Sequence, residues 1–282
     1  MRPFLFSRDI CFPLLMTEQS VHLRSIRLTL SFDGTDFSGW QRQTNARTIQ
    51  GELEDKLAKM TGEKIVIHGA GRTDSGVHAL AMTAHFVTNS AIACSSFRSG
   101  LNSLLADSIK VMQVEEVDST FHSRISARAK VYQYFFTTEE IVHPHRRFYC
   151  AQLHGSFDLE KARQCLPFIL GRHDFASFEA TGSRDKGKTS GRGALRAIFS
   201  VSLSAVENPS PEYLFEICGN GFLRKMVRNI VGTLIEVGQH RMTVADFADL
   251  LQRKDRSLAG PTAPACGLFL KKVYYDESWS AT

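Results

Sequence analysis

Nowhere does this 282-residue chain reach the roughly 18 consecutive apolar residues that a membrane-spanning helix needs. Its one apolar concentration near the start, Phe4-Leu5-Phe6 and Phe12-Pro13-Leu14-Leu15, is interrupted by Arg8 and Asp9. No small-residue cleavage site follows it, so it does not read as a signal peptide. Cysteine is sparse. Its six copies, at positions 11, 94, 150, 165, 218 and 266, form no Cys-x-x-Cys pair. That excludes a disulfide framework and a zinc ribbon, and a reducing cytoplasm fits best. His, Cys and carboxylates do not gather at metal-ligand spacing either, so no metal is expected. Charge of either sign is in little excess. Lys plus Arg outnumber Asp plus Glu by 34 to 29, for a net +5 and a pI near 8.9. This permits an anionic partner such as nucleic acid without demanding one.

What is present is an ordinary globular composition, 43% hydrophobic and 22% charged, long enough for two domains. Residues 1–22 read as a disordered tail or extension, with Met16 an alternative start, because regular patterning begins only near Leu23. Ser25 to Phe32 alternates polar and apolar like a half-buried strand. Ile49, Leu53, Leu57 and Met60 make one helical stripe behind Thr48 as N-cap. Lys64 to His68, Ala79 to Val87 and Ile109 to Val117 read as strands, and Cys94 to Leu105 as a helix. The second half repeats the same kinds of part. Lys130 to Thr137, Ala194 to Leu203, Tyr213 to Cys218 and Gly267 to Tyr274 read as strands. Leu159 to Leu170 and Thr243 to Leu251 read as helices, and Phe222 to Val237 is the clearest helix of all. The pattern predicts an α+β fold of two similar halves, each an antiparallel sheet with helices on one face, the two sheets meeting around a central basic cleft. The expected division is an N-terminal domain over residues 23–120 and a C-terminal domain over 121–282. No residue-level repeat supports the duplication, which rests on element order alone.

The segment richest in chemistry is Gly69-Ala70-Gly71-Arg72-Thr73-Asp74-Ser75-Gly76-Val77-His78-Ala79. Three glycines in eight residues exclude a regular helix and permit close approach to a ligand. An arginine can grip phosphate, and a carboxylate can act as nucleophile or base. The same residues also suit a purely structural loop with an internal Arg-Asp contact. This segment matches neither the Rossmann nor the P-loop glycine spacing. Thr181 to Gly193 is a second glycine-rich stretch, without apolar periodicity and with four cations, Arg184, Lys186, Lys188 and Arg192.

Several segments, taken in order, carry a resemblance. They are Phe32-Asp33-Gly34, Phe37-Ser38-Gly39-Trp40-Gln41-Arg42-Gln43, Thr48 to Glu54, Gly69 to Ala79, Ala127 to Tyr134, Gly171 to Phe175, Met226 to Gly232 and Ala263 to Leu270. Over residues 25 to 275 the chain resembles the TruA family of tRNA pseudouridine synthases. The resemblance implies a cofactor-free isomerisation of uridine in the anticodon stem-loop, at uridines 38 to 40, by a cytoplasmic homodimer acting on tRNA. It makes Asp74 the catalytic aspartate, attacking the ribose C1′ or the base, or acting as a base. It makes Arg72 the residue that helps extrude the target base, Tyr132 the aromatic that packs on the flipped uracil, Arg228 the partner of Asp74, and Leu268 an apolar wall of the pocket. Strand parity alone does not separate Tyr132 from Tyr134. On their own, Arg228 would be an exposed helical arginine four residues after Arg224, and Leu268 ordinary core. Candidate RNA contacts are Arg42, His78, Arg128, Lys130, Arg146, Arg184, Lys186, Lys188, Arg192 and Arg224. For His78 a loop-supporting role is the stronger reading, and the His143 to Arg147 turn can touch phosphate or simply face solvent. Ser75 stands where the family has alanine, and the stretch after Phe178 departs furthest from its pattern. Two other readings stand beside it: a catalytically silent RNA-binding protein of the same fold, which intact Asp74, Arg72 and Tyr132 oppose, and an Asp-dependent hydrolase, which needs a second activated group or a metal cluster whose ligand spacing is absent.

Overall fold

The computed structural model describes residues 23–182, 193–207 and 211–281. In chain order the strands are β1 (Arg24–Phe32), β2 (His68–Gly69), β3 (His78–Thr88), β4 (Ile109–Val117), β5 (Ala129–Thr137), β6 (Ala151–Gln152), β7 (Gly171–Asp174), β8 (Leu195–Glu207), β9 (Pro211–Gly219) and β10 (Leu268–Tyr274). The helices are α1 (Ile49–Thr61), α2 (Cys94–Leu104), α3 (Leu159–Arg163), α4 (Leu166–Ile169), α5 (Met226–Gly238) and α6 (Val244–Arg253). No helix among the described residues is long and apolar enough to cross a membrane.

Alternation in β1 buries Ile26, Leu28, Leu30 and Phe32 on one face, against the stripe Ile49, Leu53 and Leu57 of α1. Thr48 caps α1 by accepting the Gly51 amide. α5 is buried nearly all round, so it is a core helix with no solvent face along most of its length. At Gly232 a side chain would drive its Cβ to 1.7 Å from the Pro261 carbonyl oxygen. Only glycine lets the 261–263 segment lie this close to α5.

The mixture of strands and packed helices matches the expected class. The expected pair of sheets does not appear. The described strands form one ten-stranded sheet in the order β4-β1-β3-β10-β5-β9-β8-β7, with β2 beside β3 and β6 beside β5. The joint is β10, which pairs parallel with β3 and antiparallel with β5. A strand late in the chain thus stitches the two halves through backbone hydrogen bonds, which no periodicity within one segment could reveal.

Local departures have local causes. Residues 64–67 alternate in burial but form no ladder, because the Ile67 amide donates to the Glu54 carboxylate instead. The expected helix over 159–170 splits into α3 and α4, with Pro167 in the first turn of the second piece, where its missing N–H costs nothing. The long helix starts at Met226, four residues later than its apolar pattern, because Lys225 takes a left-handed conformation at φ 61°.

Candidate active site

The loop between β2 and β3 carries Asp74 and is braced from beneath by the chain that follows β1. Trp40 N donates to Thr73 O, and Phe37 O accepts from both Ser75 Oγ and the Gly76 amide. Gly39 adopts φ +88°, and a Cβ there would stand 2.4 Å from Thr73 O, so the two loops touch backbone to backbone. The Ser75 hydroxyl, the departure from the family pattern, therefore adds a hydrogen bond at no steric cost. Lys130 Nζ donates to Ala70 O at 2.6 Å and fastens the base of the loop to β5.

Asp74 keeps 24% of its side chain exposed. Arg228 Nη1 donates to Asp74 Oδ2 at 3.2 Å, while its Nε donates to Ala263 O at 2.8 Å. The guanidinium thus spans two acceptors. It sits in the first turn of α5, where the helix dipole disfavours a cation, and the carboxylate offsets that penalty. Arg224 is not on the helix with it, as the spacing had suggested, but in the turn ahead. It is 64% exposed, with Nε 3.8 Å from Asp74 Oδ1.

The two tyrosines of β5 separate cleanly. Tyr134 is fully buried and donates its hydroxyl to Pro264 O at 2.8 Å, a structural bond. Tyr132 meets Phe222 edge to face at 5.1 Å. Its phenol is held well above the ordinary tyrosine range, first by burial and then by the negative charge of Asp74. That electrostatic coupling puts the phenol in the field of Asp74 and keeps it protonated. Leu268 is buried at the start of β10, opposite Tyr134. Arg72 is exposed and makes no hydrogen bond or ion pair with any described residue.

Other candidates fall elsewhere. His78 is 1% exposed, so it does not face RNA. Its Nδ1 lies 3.1 Å from Gly34 N and 3.1 Å from Asp33 Oδ1, its ring stacks on Phe269, and burial lowers its proton affinity. Tyr149 completes this brace by donating to Asp33 Oδ2 at 2.6 Å. Arg146 is corrected as well: both arms of its guanidinium engage the buried Glu212, at 2.8 and 2.6 Å, which leaves no fork for phosphate. Arg42 is exposed but pairs with the buried Glu54 at 2.9 Å. Arg128 is exposed. Arg184, Lys186, Lys188 and Arg192 lie outside the described residues. Among the described residues no group of three or more His, Cys, Asp or Glu is placed to hold a metal ion.

Sequence reasoning missed Phe222 as the neighbour of Tyr132 and Arg224 as a neighbour of Asp74. Helical spacing hid both, since the two residues precede α5. It also passed over Gly182 to Thr189, whose letters fit a P-loop. That motif needs a strand directly ahead, and the residues ahead, Ala176–Phe178, form a 3-10 turn.

Comparison with known proteins bears on the same residues. A family profile described as tRNA pseudouridine synthase matches residues 29–124 and 169–276, which include Asp74, Arg228 and Leu268. The chain is 47% identical over 253 residues to tRNA pseudouridine synthase A 1 of Desulfotalea psychrophila, covering 90% of this chain and 100% of the relative. It is 43% identical over 256 residues to tRNA pseudouridine synthase A of Citrifermentans bemidjiense, covering 90% and 99%. It is 41% identical over 253 residues to the enzyme of the same name from Ligilactobacillus salivarius, covering 89% and 96%. Likeness of this extent, running through both halves of the sheet and the loop that carries Asp74, places the chain in the tRNA pseudouridine synthase family.

Proposed function

We propose that the chain isomerises uridine to pseudouridine in the anticodon stem-loop of tRNA, with Asp74 as the catalytic carboxylate. The observation that carries this reading is Asp74 itself, presented on a braced loop, engaged by Arg228 and electrically coupled to Tyr132. In the reaction the N1–C1′ bond breaks, the uracil turns, and a C5–C1′ bond forms. The C5 proton leaves and N1 gains one, so nothing is oxidised or reduced. An ionised carboxylate suits attack on C1′, attack on the base, or removal of that proton. Arg228 holds one carboxylate oxygen, Oδ2, while the other, Oδ1, has only the exposed Arg224 near it, at 3.8 Å. Tyr132, kept protonated, offers a flat face for the uracil and a donor hydroxyl rather than a ready base. Leu268 adds an apolar wall. Stacked bases hide the reacting atoms, so the uridine must leave its helix, and unpartnered Arg72 at the loop's edge is suited to fill its place.

The family resemblance supports a homodimer working in the cytoplasm, and light scattering should then return twice the 31.5 kDa chain mass. The decisive assay is tritium release from tRNA labelled at uridine C5, followed by mapping of the altered positions. Wild type should release tritium from anticodon-arm uridines only. Asp74→Asn should bind tRNA yet release none. Substantial release by that variant would remove Asp74 from its role, and products outside the anticodon arm would overturn the proposed target.

A further inference from the structure

A cavity of about 480 Å³ opens between the turn ahead of α5 and the segment 256–262. Arg224 belongs to both places, lining this cavity while its Nε reaches toward Asp74. The other polar walls are Lys225, Arg256, Ser257, Thr262 and Thr181, and no Asp or Glu is among the lining residues.

Two of the three cations here, Lys225 and Arg256, lack counter-charges among the described residues, while Arg224 has Asp74 at 3.8 Å. Lys225 is half-buried and has no side-chain hydrogen bond or ion pair with any described residue. Arg256 is half-buried and donates only to neutral acceptors, Ala259 O at 3.1 Å, Asn229 Oδ1 at 3.2 Å and Thr262 Oγ1 at 3.3 Å. Burial alone lowers its pKa, since no carboxylate stands near enough to oppose it. A cation partly removed from water without an opposing charge is costly. Elsewhere in this molecule a buried charge is matched, as Glu212 is by Arg146. α5 also turns its positive end toward the same cavity, with no side chain capping it. Three cations, three hydroxyls and no carboxylate among the lining residues describe a receptor for an anion with several oxygens.

We infer that this cavity receives a backbone phosphate of the RNA beside the target nucleotide, held by Lys225 and Arg256 with Arg224 at the rim. The inference rests on the reading of the chain as a tRNA-modifying enzyme, which brings a polyanion to Asp74. The contact carries no base information. It sets the register of the strand so that the correct nucleotide arrives at the carboxylate.

The test pairs a protein charge with a single RNA charge. A stem-loop RNA is made with one uncharged methylphosphonate at each position in turn, and Kd is measured with wild type and with K225N. Asparagine tolerates the left-handed backbone, so this variant removes the cation and keeps the turn. In wild type one position should weaken binding several-fold, and in K225N the same position should become silent. The slope of log K against log salt should become shallower by about 0.7 to 0.9. R256Q, checked for native thermal unfolding, should silence the same position. Penalties that simply add at every position would mean that no phosphate sits there, and the inference would fall. Inorganic phosphate titrated without RNA separates a free anion from a phosphodiester. Saturable uptake lost in K225N, with no methylphosphonate effect, would assign the cavity to a free anion and overturn the RNA assignment. Wild type that shows the charge pairing but releases no tritium would instead sink the proposed activity and leave the phosphate site standing.

Discussion

Arg228 serves two acceptors with one guanidinium, Asp74 through Nη1 and Ala263 O through Nε. A lysine there keeps the charge but reaches only one of them. Arg228→Met should therefore lower the single-turnover rate about a hundredfold or more, as loss of a preorganised donor does, and Arg228→Lys should fall between Met and wild type. Turnover by Met at the wild-type rate would make Arg228 a bystander. Arg146 predicts the opposite kind of effect. Its removal strands Glu212, only 2% exposed, without its partner. Arg146→Ala should cost about 3 kcal/mol in denaturant unfolding and leave the salt dependence of tRNA binding unchanged. Intact stability with a shallower salt slope would return Arg146 to the phosphate contacts. These two arginines show what was legible in advance. The family resemblance pointed to Asp74, Arg72, Tyr132 and Arg228, and the structure draws Asp74, Tyr132 and Arg228 together. Nothing local could separate Tyr132 from Tyr134, or tell that Arg146 finds Glu212, because those facts depend on partners 66 to 130 residues away.

At the scale of elements, β2, β3 and the segment after β4 converge on three histidines whose rings meet tilted or edge-on. His85 lies 5.3 Å from His68 and 4.8 Å from His122, ring centre to ring centre. It is buried, and burial first, then the charges of its two neighbours, push its pKa down to about 4. The unfolded chain takes up this proton near pH 6.5 and the native state does not. Stability is thus full above about pH 6.5 and is lost as pH falls toward about 4, by on the order of 1–3 kcal/mol. Urea midpoints measured across this window should decline for wild type and flatten for His85→Asn; equal declines would place the titration elsewhere. Strand and helix periods were readable here, since β1, α1 and β4 fall where alternation and spacing put them. Their ends were less so. The left-handed Lys225 delays α5, and the Glu54 carboxylate takes the amide that would have made residues 64–67 a strand.

At the scale of the molecule, one sheet crosses the expected boundary at residue 120, and this has a measurable result. The chain holds two tryptophans, Trp40 beside the loop that carries Asp74 and Trp279 stacked on Phe199 of β8. Trp40→Phe and Trp279→Phe each leave one reporter. In each variant, fluorescence and circular dichroism should give the same urea midpoint, as a single cooperative unit requires. Two separated midpoints would restore independent domains. The order of strands was beyond sequence reasoning because pairing at a distance leaves no periodic trace. The place of β10 also matters to a chain made one residue at a time. β3 is synthesised long before the strand that will lie beside it, and at about 5–20 residues per second the wait lasts roughly ten to forty seconds. Through that interval the loop bearing Asp74 has emerged, but β10 and the Arg228 helix have not reached it. The ion pair of Asp74 with Arg228 and the pairing of β3 with β10 are thus late events, completed only when the last strand slots into the middle of the sheet.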